Sequence, residues 1–151
     1  MAARKRRPTR AVRERPPASG YTPARLLLDT HAWLWWQSGD RRLGSRARQA
    51  VLAAPAVLFS AASAWEIAIK ARLGKLTLPT GDSIEDQLAL DGFESLAVTL
   101  AHAEAVRSLP ALHRDPFDRM LVAQASDEDL VILTRDPLIS QYDVRVIPAD
   151  E

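Results

Sequence analysis

Three short apolar runs constrain the fold of this chain more than any other feature. They are LLL at residues 26–28, VLF at 57–59 and LVIL at 130–133, and none is long enough for an ordinary helix. A strand that is apolar on both faces belongs in a sheet covered on both sides, which is the usual setting of parallel strands. The chain is therefore expected to be an α/β protein.

Helical segments separate these runs, and caps and breakers set the predicted boundaries. The predicted strands are 25–29, 57–60, 93–98, 131–134 and 144–147. The predicted helices are 32–37, 45–54, 63–73 (capped by Ser63 and ended by Gly74), 83–90, 99–108 and 115–125. Short strands alternating with helices predict one parallel sheet with helices on both faces.

Length and composition limit the class of protein. The 151 residues are enough for one domain with its own core. The chain has no cysteine, which excludes disulfides and thiolate metal sites and agrees with a reducing cytoplasm. No apolar run is long enough to cross a membrane, and no secretory signal is visible. We therefore expect a cytoplasmic protein that does not bind membranes.

The formal net charge of +1 conceals a basic N-terminal segment. Residues 1–24 carry seven basic residues and one acid, a net +6, which leaves −5 on residues 25–151. Four prolines and few apolar residues predict that 1–24 is a disordered extension ahead of a folded domain at 25–151. The extension is either an arm that attracts nucleic-acid phosphates or a solvated tail. A translation start assigned too far upstream would also add such a tail.

Acidic residues follow the predicted strands, at the carboxyl ends where open parallel sheets bind ligands. Asp29 ends the first strand, and Asp136 follows the fourth. Glu66 lies early in the helix after the second strand, and Asp115 and Asp118 lie at the start of the helix before the fourth. Parallel topology predicts that these carboxylates meet at one edge of the sheet.

Each acid also has a plain structural explanation. Helix capping accounts for Asp29 and Asp115, and a turn before proline accounts for Asp136. The stretch SAWE at residues 63–66 matches a capping box, in which the glutamate bonds back to the serine amide. Asp118 is the hardest to explain in this way, because it shares a helix face with apolar residues three, four and seven positions later.

Carboxylates gathered in one cleft would repel one another. Two of them about 5 Å apart repel by roughly 3 kcal/mol at an effective dielectric constant of about 20. Either some stay protonated or a cation sits among them. Oxygen ligands select hard cations, so Mg²⁺ or Mn²⁺ is expected. Substrate phosphates commonly complete a Mg²⁺ site, which points to phosphodiester chemistry.

Four stretches, in order, resemble the motifs of PIN-domain proteins, and more closely those of the VapC-type toxins of bacterial toxin–antitoxin pairs. They are LLLDTHAWLWW, SAASAWEIAIKARLGKL, HRDPFDRMLVAQA and LTRD, and the resemblance covers residues 25–147. It implies a three-layer fold with a parallel sheet of about five strands between helices. It also implies Mg²⁺-dependent endoribonuclease cleavage of tRNA or ribosomal RNA, inhibition of translation and growth, a cognate antitoxin and a homodimer.

The resemblance also implies roles for individual residues. The four catalytic and metal-binding acids would be Asp29, Glu66, Asp118 and Asp136, with Asp115 as an auxiliary metal-binding or structural residue. Substrate contacts are expected, with packing or salt bridges as the alternative, at His31, Arg114, Thr134 and Arg135. Arg119 is expected to pair with a neighbouring acid or to hold phosphate.

Four tryptophans are hard to bury fully in so small a domain, so an exposed apolar patch is expected at some of Trp33, Trp35, Trp36 and Trp65. An antitoxin segment or a second copy of the chain would cover such a patch. The basic residues of KARLGK at 70–75 are explained by favourable charge at a helix C-terminus.

Two other functions remain open from the sequence. A phosphatase of the haloacid-dehalogenase type has a similar LLLD start, but it needs a second aspartate two residues later, where this chain has His31. A non-catalytic nucleic-acid-binding module would depend on the basic extension. Deleting residues 1–24 would remove the affinity of such a module but would leave a nuclease active.

Overall fold

A five-stranded sheet forms the centre of the computed structural model, which describes residues 24–78, 81 and 83–151. The strands are β1 (Leu26–Leu28), β2 (Val57–Ser60), β3 (Glu94–Leu96), β4 (Val131–Thr134) and β5 (Arg145–Pro148). Every neighbouring pair is parallel, and the order is β3-β2-β1-β4-β5. The predicted α/β class with a parallel sheet of about five strands is confirmed.

The apolar runs are buried because each face of the sheet carries its own core. Leu26 and Leu28 point to one face, where they pack with Trp33 and Phe59. Leu27 points to the other face and packs with Leu121. Alternate residues of a strand face opposite sides, so two buried faces require an unbroken apolar run.

Helices cover both faces of this sheet. Within the described residues they are α1 (Thr30–Ser38), α2 (Ser45–Ala53), α3 (Ala61–Arg72), α4 (Ile84–Asp91), α5 (Leu100–Val106) and α6 (Pro116–Glu128). A single 3₁₀ turn at Ile139–Gln141 precedes β5 and was not predicted. Ser83, Thr99 and Asp115 cap α4, α5 and α6, and Gly92 follows the end of α4.

The predicted start of α3 is wrong by one turn. Ser60, the last residue of β2, is the cap, and its hydroxyl accepts a hydrogen bond from the amide of Ala62 at 3.0 Å. Ser63 lies inside the helix, buried and without a hydrogen-bond partner for its hydroxyl among the described residues. The capping box proposed for residues 63–66 is therefore absent, and Glu66 in the second turn is free to make other contacts.

The strand order places a crevice beside the central strand. The chain leaves β1 towards β2 on one side, whereas β4 joins β1 on the other. In doubly wound sheets this change of direction opens a crevice at the carboxyl ends of the two strands. Asp29 directly follows β1 and Thr134 ends β4, so both lie at this crevice.

Gly44 anchors the end of the chain to the N-terminus of α2. Its amide donates to the carbonyl of Ala149 at 2.9 Å, and the amide of Ala47 donates to the carbonyl of Glu151 at 2.9 Å. A Cβ atom added at Gly44 would lie 2.2 Å from the carbonyl oxygen of Glu151, which is far inside van der Waals contact. Glycine is therefore required here for space rather than for backbone conformation.

We predict that Gly44→Ala destabilises the fold by about 1–3 kcal/mol, because the new methyl group must displace the C-terminal backbone. The melting temperature should fall by roughly 2–10 °C in thermal denaturation followed by circular dichroism. Gly81→Ala is the matched control, because a Cβ there meets nothing within 4 Å. Equal melting temperatures for the two variants would show that the contact with Glu151 does not matter.

Candidate active site

A cleft of about 380 Å³ opens at the carboxyl ends of β1 and β4. Its lining includes all five acids singled out from the sequence, namely Asp29, Glu66, Asp115, Asp118 and Asp136. The other lining residues are Thr30, His31, Trp35, Arg42, Lys70, Arg135 and Pro137. The fold thus brings together carboxylates that are up to about a hundred positions apart in the sequence.

Asp29 is one of the two most buried of these carboxylates, with only 6% of its surface exposed, as for Glu66. One oxygen accepts the amide of Ala32 at 2.7 Å and so caps α1. The other accepts the hydroxyl of Thr134 at 2.5 Å. Burial raises the pKa of Asp29 despite these hydrogen bonds, which act in the opposite direction. The sequence left open whether Asp29 caps a helix or belongs to a ligand site. In the structure it caps α1 and also lines the cleft.

Glu66 reaches the same cleft from α3. Its Oε2 accepts the hydroxyl of Thr30 at 2.7 Å, and its Oε1 lies 2.5 Å from the ammonium of Lys70, four residues later. The hydrogen bond to Glu66 raises the pKa of Lys70. Lys70 is therefore more than a favourable charge at a helix end, the only role that the sequence suggested for it. It brings a positive charge into an acidic cleft.

The start of α6 supplies two more acids. Asp115 caps the helix, and its Oδ1 accepts the amides of Phe117 at 2.8 Å and Asp118 at 3.3 Å. Asp118 follows in the first turn, with its side chain partly exposed. Burial, and then the negative charge of Asp115, raise the pKa of Asp118 to about 7; Asp29 and Glu66 add to the effect. Ionising Asp118 in this cleft is thus unfavourable without a compensating cation.

His113 lies between two of the carboxylates. Its Nε2 is 2.7 Å from Oδ2 of Asp136 and 3.2 Å from Oδ2 of Asp118. Its Nδ1 accepts the amide of Asp115 at 3.0 Å. No role was predicted for this histidine, and the one signal in the sequence was its position two residues before Asp115 in HRDPFDR.

Basic and aromatic groups form the opposite rim of the cleft. The guanidinium carbons of Arg42 and Arg135 lie 5.1 Å and 5.7 Å from the ring centroid of Trp35, within the range of cation–π attraction. Arg42 also pairs with Asp40 at 2.7 Å and lowers the pKa of that partly exposed carboxyl to about 2. His31 is exposed on the same rim, with its ring 6.2 Å from that of Trp35.

The remaining substrate-contact candidates are placed differently. Thr134 is buried behind Asp29 rather than exposed in the cleft. Arg114 is exposed on the surface and does not line the cleft. Within the described residues Arg119 does not form the expected pair with an acid, since its Nη1 donates to the carbonyl of Pro110 at 2.8 Å and to the hydroxyl of Tyr142 at 3.1 Å. Through these hydrogen bonds Arg119 stabilises the loop between α5 and α6. Phosphate binding by Arg119 stays a prediction.

A second, apolar cleft of about 520 Å³ lies beside the first. Its lining is apolar throughout, namely Ala61, Ala62, Trp65, Val98, Ala103, Val106, Pro116, Phe117 and Met120. Trp65 is 65% exposed and meets Phe117 edge to face, with ring centroids 5.3 Å apart. The other tryptophans are buried or partly buried, so the expected exposed apolar patch is confirmed at Trp65.

Two expectations concern the surroundings of this domain. The basic extension falls on residues 1–24, which apart from Ala24 lie outside the described residues. In the part of the chain that the structure describes, no helix combines the length and apolar character needed to span a bilayer.

The donor set of the acidic cleft fits a divalent cation. The carboxylates of Asp29 and Asp118 have raised pKa values, and the latter is raised partly by the neighbouring negative charges. A bound cation would remove this penalty, since opposite charge favours the ionised form. Carboxylate oxygens suit Mg²⁺ or Mn²⁺.

Comparisons with known proteins agree with this arrangement. A family model described as the PIN domain matches residues 26–145. Ribonuclease VapC22 from Mycobacterium tuberculosis (strain ATCC 25618 / H37Rv) is 28% identical over 112 residues, which cover 74% of this chain and 86% of that protein.

Solved structures share the fold at low sequence identity. FitAcB from Neisseria gonorrhoeae superposes with a TM-score of 0.57 at 21% identity, over 82% of this chain and 97% of that one. A toxin–antitoxin complex from Klebsiella pneumoniae gives a TM-score of 0.53 at 20% identity, over 83% of this chain and 98% of that one. At these identities the likeness concerns the fold alone.

We predict that the metal-free protein loses stability as the pH rises from about 4 to 7, because the pKa of Asp118 moves from 3.8 when unfolded to about 7 when folded. The folded state holds this proton more tightly, so the stabilisation is complete below pH 4 and is lost on ionisation. Asp118→Asn should flatten this decline in melting temperature, leaving the part due to Asp29, whose pKa is also raised. Asp143→Asn, a control at an exposed position, should leave the decline in melting temperature unchanged. Parallel curves for all three proteins would contradict the prediction.

Proposed function

This chain belongs to the PIN domain family, and on that premise we propose that it is a divalent-metal-dependent endoribonuclease, the toxin of a toxin–antitoxin pair. One observation carries the proposal: the four acids Asp29, Glu66, Asp118 and Asp136 line a single cleft. The similarity to a ribonuclease and to toxin–antitoxin structures supports this choice over the phosphatase. It also supports an enzyme over a module that only binds nucleic acid.

These four acids would hold Mg²⁺ or Mn²⁺, with Asp115 as an auxiliary group. When bound, such a cation supplies Lewis acidity and lowers the pKa of water near the scissile phosphate. The protein orients the carboxylates in advance. Thr134 and the amide of Ala32 hold Asp29, while Thr30 and Lys70 hold Glu66. In the absence of a cation, the Asp118 carboxyl keeps its proton up to near-neutral pH.

Basic groups around the cleft would bring the RNA backbone to these acids. An acidic cleft alone repels phosphates, so cationic side chains must offset its charge. Arg135 and His31 lie on the rim and would contact substrate phosphates, as would Arg42. Arg114 would contact RNA outside the cleft, and Thr134 would act through Asp29. We propose tRNA or ribosomal RNA as the substrate, whose cleavage inhibits translation and growth.

We predict that Asp29→Asn and Asp118→Asn each lower RNA cleavage by at least about 100-fold, because each removes a charge that would hold the cation. Purified protein free of antitoxin would be incubated with total tRNA and ribosomal RNA, with Mg²⁺, with Mn²⁺ or with a chelator, and the cut ends mapped. Circular dichroism should show the fold intact.

Asp143→Asn removes the same charge at an exposed position outside the cleft and should keep full activity. Cleavage that survives chelation, or that is unchanged in both cleft variants, would exclude the metal-dependent mechanism. A truncated chain that begins at residue 25 should still cut, since the acids all lie beyond that point.

We propose two protein partners, a cognate antitoxin and a second copy of this chain. The toxin–antitoxin complexes with the same fold support the first. The apolar cleft around Trp65 supports the second, since exposed apolar surfaces of this size are usually covered by a protein. Its walls come from α3, α5 and the start of α6, so a homodimer formed here would bring the two acidic clefts near each other.

We predict that the antitoxin-free protein is a dimer of about twice 16.7 kDa and that Trp65→Glu makes it a monomer with an unchanged fold. A buried glutamate in an apolar interface would be unpaired and therefore costly. Leu90→Glu is the control, because Leu90 is 77% exposed on α4, away from the cleft. Light scattering after gel filtration gives the masses, and a monomeric wild type or a dimeric Trp65→Glu would refute this interface.

A further inference from the structure

His113 presents one ring nitrogen to the main chain and the other to the acidic cleft. Its Nδ1 lies 3.0 Å from the amide nitrogen of Asp115, and a backbone N–H can only donate. Nδ1 must therefore accept this hydrogen bond. In the neutral ring the single proton then sits on Nε2, so the main chain fixes the tautomer of His113.

Nε2 of His113 faces two carboxylates from different parts of the chain and hydrogen-bonds to one of them, Asp136. Oδ2 of Asp136, just after β4, is 2.7 Å away, and Oδ2 of Asp118, on α6, is 3.2 Å away. Across residues 24–78, 81 and 83–151, His113 is the side chain that contacts the carboxylate of Asp118 within hydrogen-bonding distance. The Nε2–H group thus binds Asp136 and lies beside Asp118, between two groups that would otherwise repel each other.

The ring is held in place through its own backbone. The amide of His113 donates to the hydroxyl of Tyr142 at 2.9 Å, and Arg119 donates to the same hydroxyl at 3.1 Å. Arg119 also donates to the carbonyl of Pro110 at 2.8 Å. These contacts fix the loop before α6, and the side chain of His113 is only 11% exposed.

We propose that His113 is a positioning residue of this site: its Nε2–H holds Asp136 beside Asp118 so that both carboxylates face one divalent ion, and the imidazole itself does not ligate that ion. The inference rests on the proposed function. Ligation would need the lone pair of Nε2, which carries the proton as long as Nδ1 accepts the amide of Asp115. Hydrogen bonds that orient ligating carboxylates are typical of metal sites, and their loss weakens metal binding.

His102 offers the same ring chemistry outside the cleft. Its Nδ1 accepts the amide of Thr99 at 3.1 Å, and its Nε2 lies 2.9 Å from Oε1 of Glu128. Glu128 is ten residues after Asp118 on α6, about 15 Å along the helix. A change at His102 therefore tests the general cost of losing such a histidine.

Glutamine and asparagine separate the two functions of the His113 ring. A glutamine amide reaches the position of Nε2, whereas an asparagine amide reaches only that of Nδ1. Mn²⁺ binding to the full-length chain, measured by calorimetry, should weaken about 10–100-fold in His113→Asn and stay close to the wild type in His113→Gln. His102→Gln should bind Mn²⁺ like the wild type.

Other outcomes of the titration are equally informative. Equal Mn²⁺ affinities for the asparagine and glutamine variants, or tighter Mn²⁺ binding by the asparagine variant, would overturn the role of His113 while leaving the metal site in place. A wild-type chain that takes up no Mn²⁺ would overturn both this inference and the proposed nuclease.

The tautomer provides a readout that depends on neither activity nor affinity. Nitrogen-15 spectra of the His113 ring in the metal-free wild type should show the proton on Nε2, and the same tautomer should persist when Mg²⁺ is added. A proton on Nδ1, before or after Mg²⁺ addition, would mean that Nε2 is free to ligate and would refute the proposal.

Discussion

Crowding of negative charge at the end of the central strand is the constraint on which the rest of this structure depends. Asp29 is nearly inaccessible to water, and Asp118 shares its cleft, so each ionises against the field of the others. Different neighbouring groups stabilise different carboxylates. Thr134 and Thr30 donate hydroxyl hydrogens, Lys70 contributes a full positive charge, and the imidazole before α6 supplies a donor.

The topology explains why these groups meet. Because β1 lies between β2 and β4, the residues that follow all three strands converge on one edge of the sheet. Ser60 connects two helices at that edge, since its hydroxyl caps α3 and also donates to Gln124 of α6 at 2.6 Å. The helices that carry Glu66 and Asp118 are thus joined beneath the cleft. Glu66 and Asp118 are therefore positioned by helices that pack on the core.

Local signals made most of the fold predictable. Unbroken apolar runs indicate strands buried on both faces, and an acid directly after such a strand is readily noticed. Ser60 was missed as a cap because two serines three residues apart both fit the pattern, and the end of β2 decided between them. Lys70 was missed although its position four residues after Glu66 on one helix is the spacing of a helical ion pair. His113 was missed because its partners depend on how the loop before α6 packs against the residues after β4, which spacing along the chain does not record.

The first turn of α6 is a wall shared by two very different clefts. Asp115 and Asp118 face the acidic cleft, while Pro116 and Phe117 line the apolar one. A molecule that shifts this turn from either side must also displace the groups on the other. By thermodynamic linkage, whatever coupling such a shift produces is reciprocal, so occupancy of the acidic cleft would alter affinity at the apolar cleft by the same factor as the converse. Association and ion uptake would then be measurable as a single coupled equilibrium.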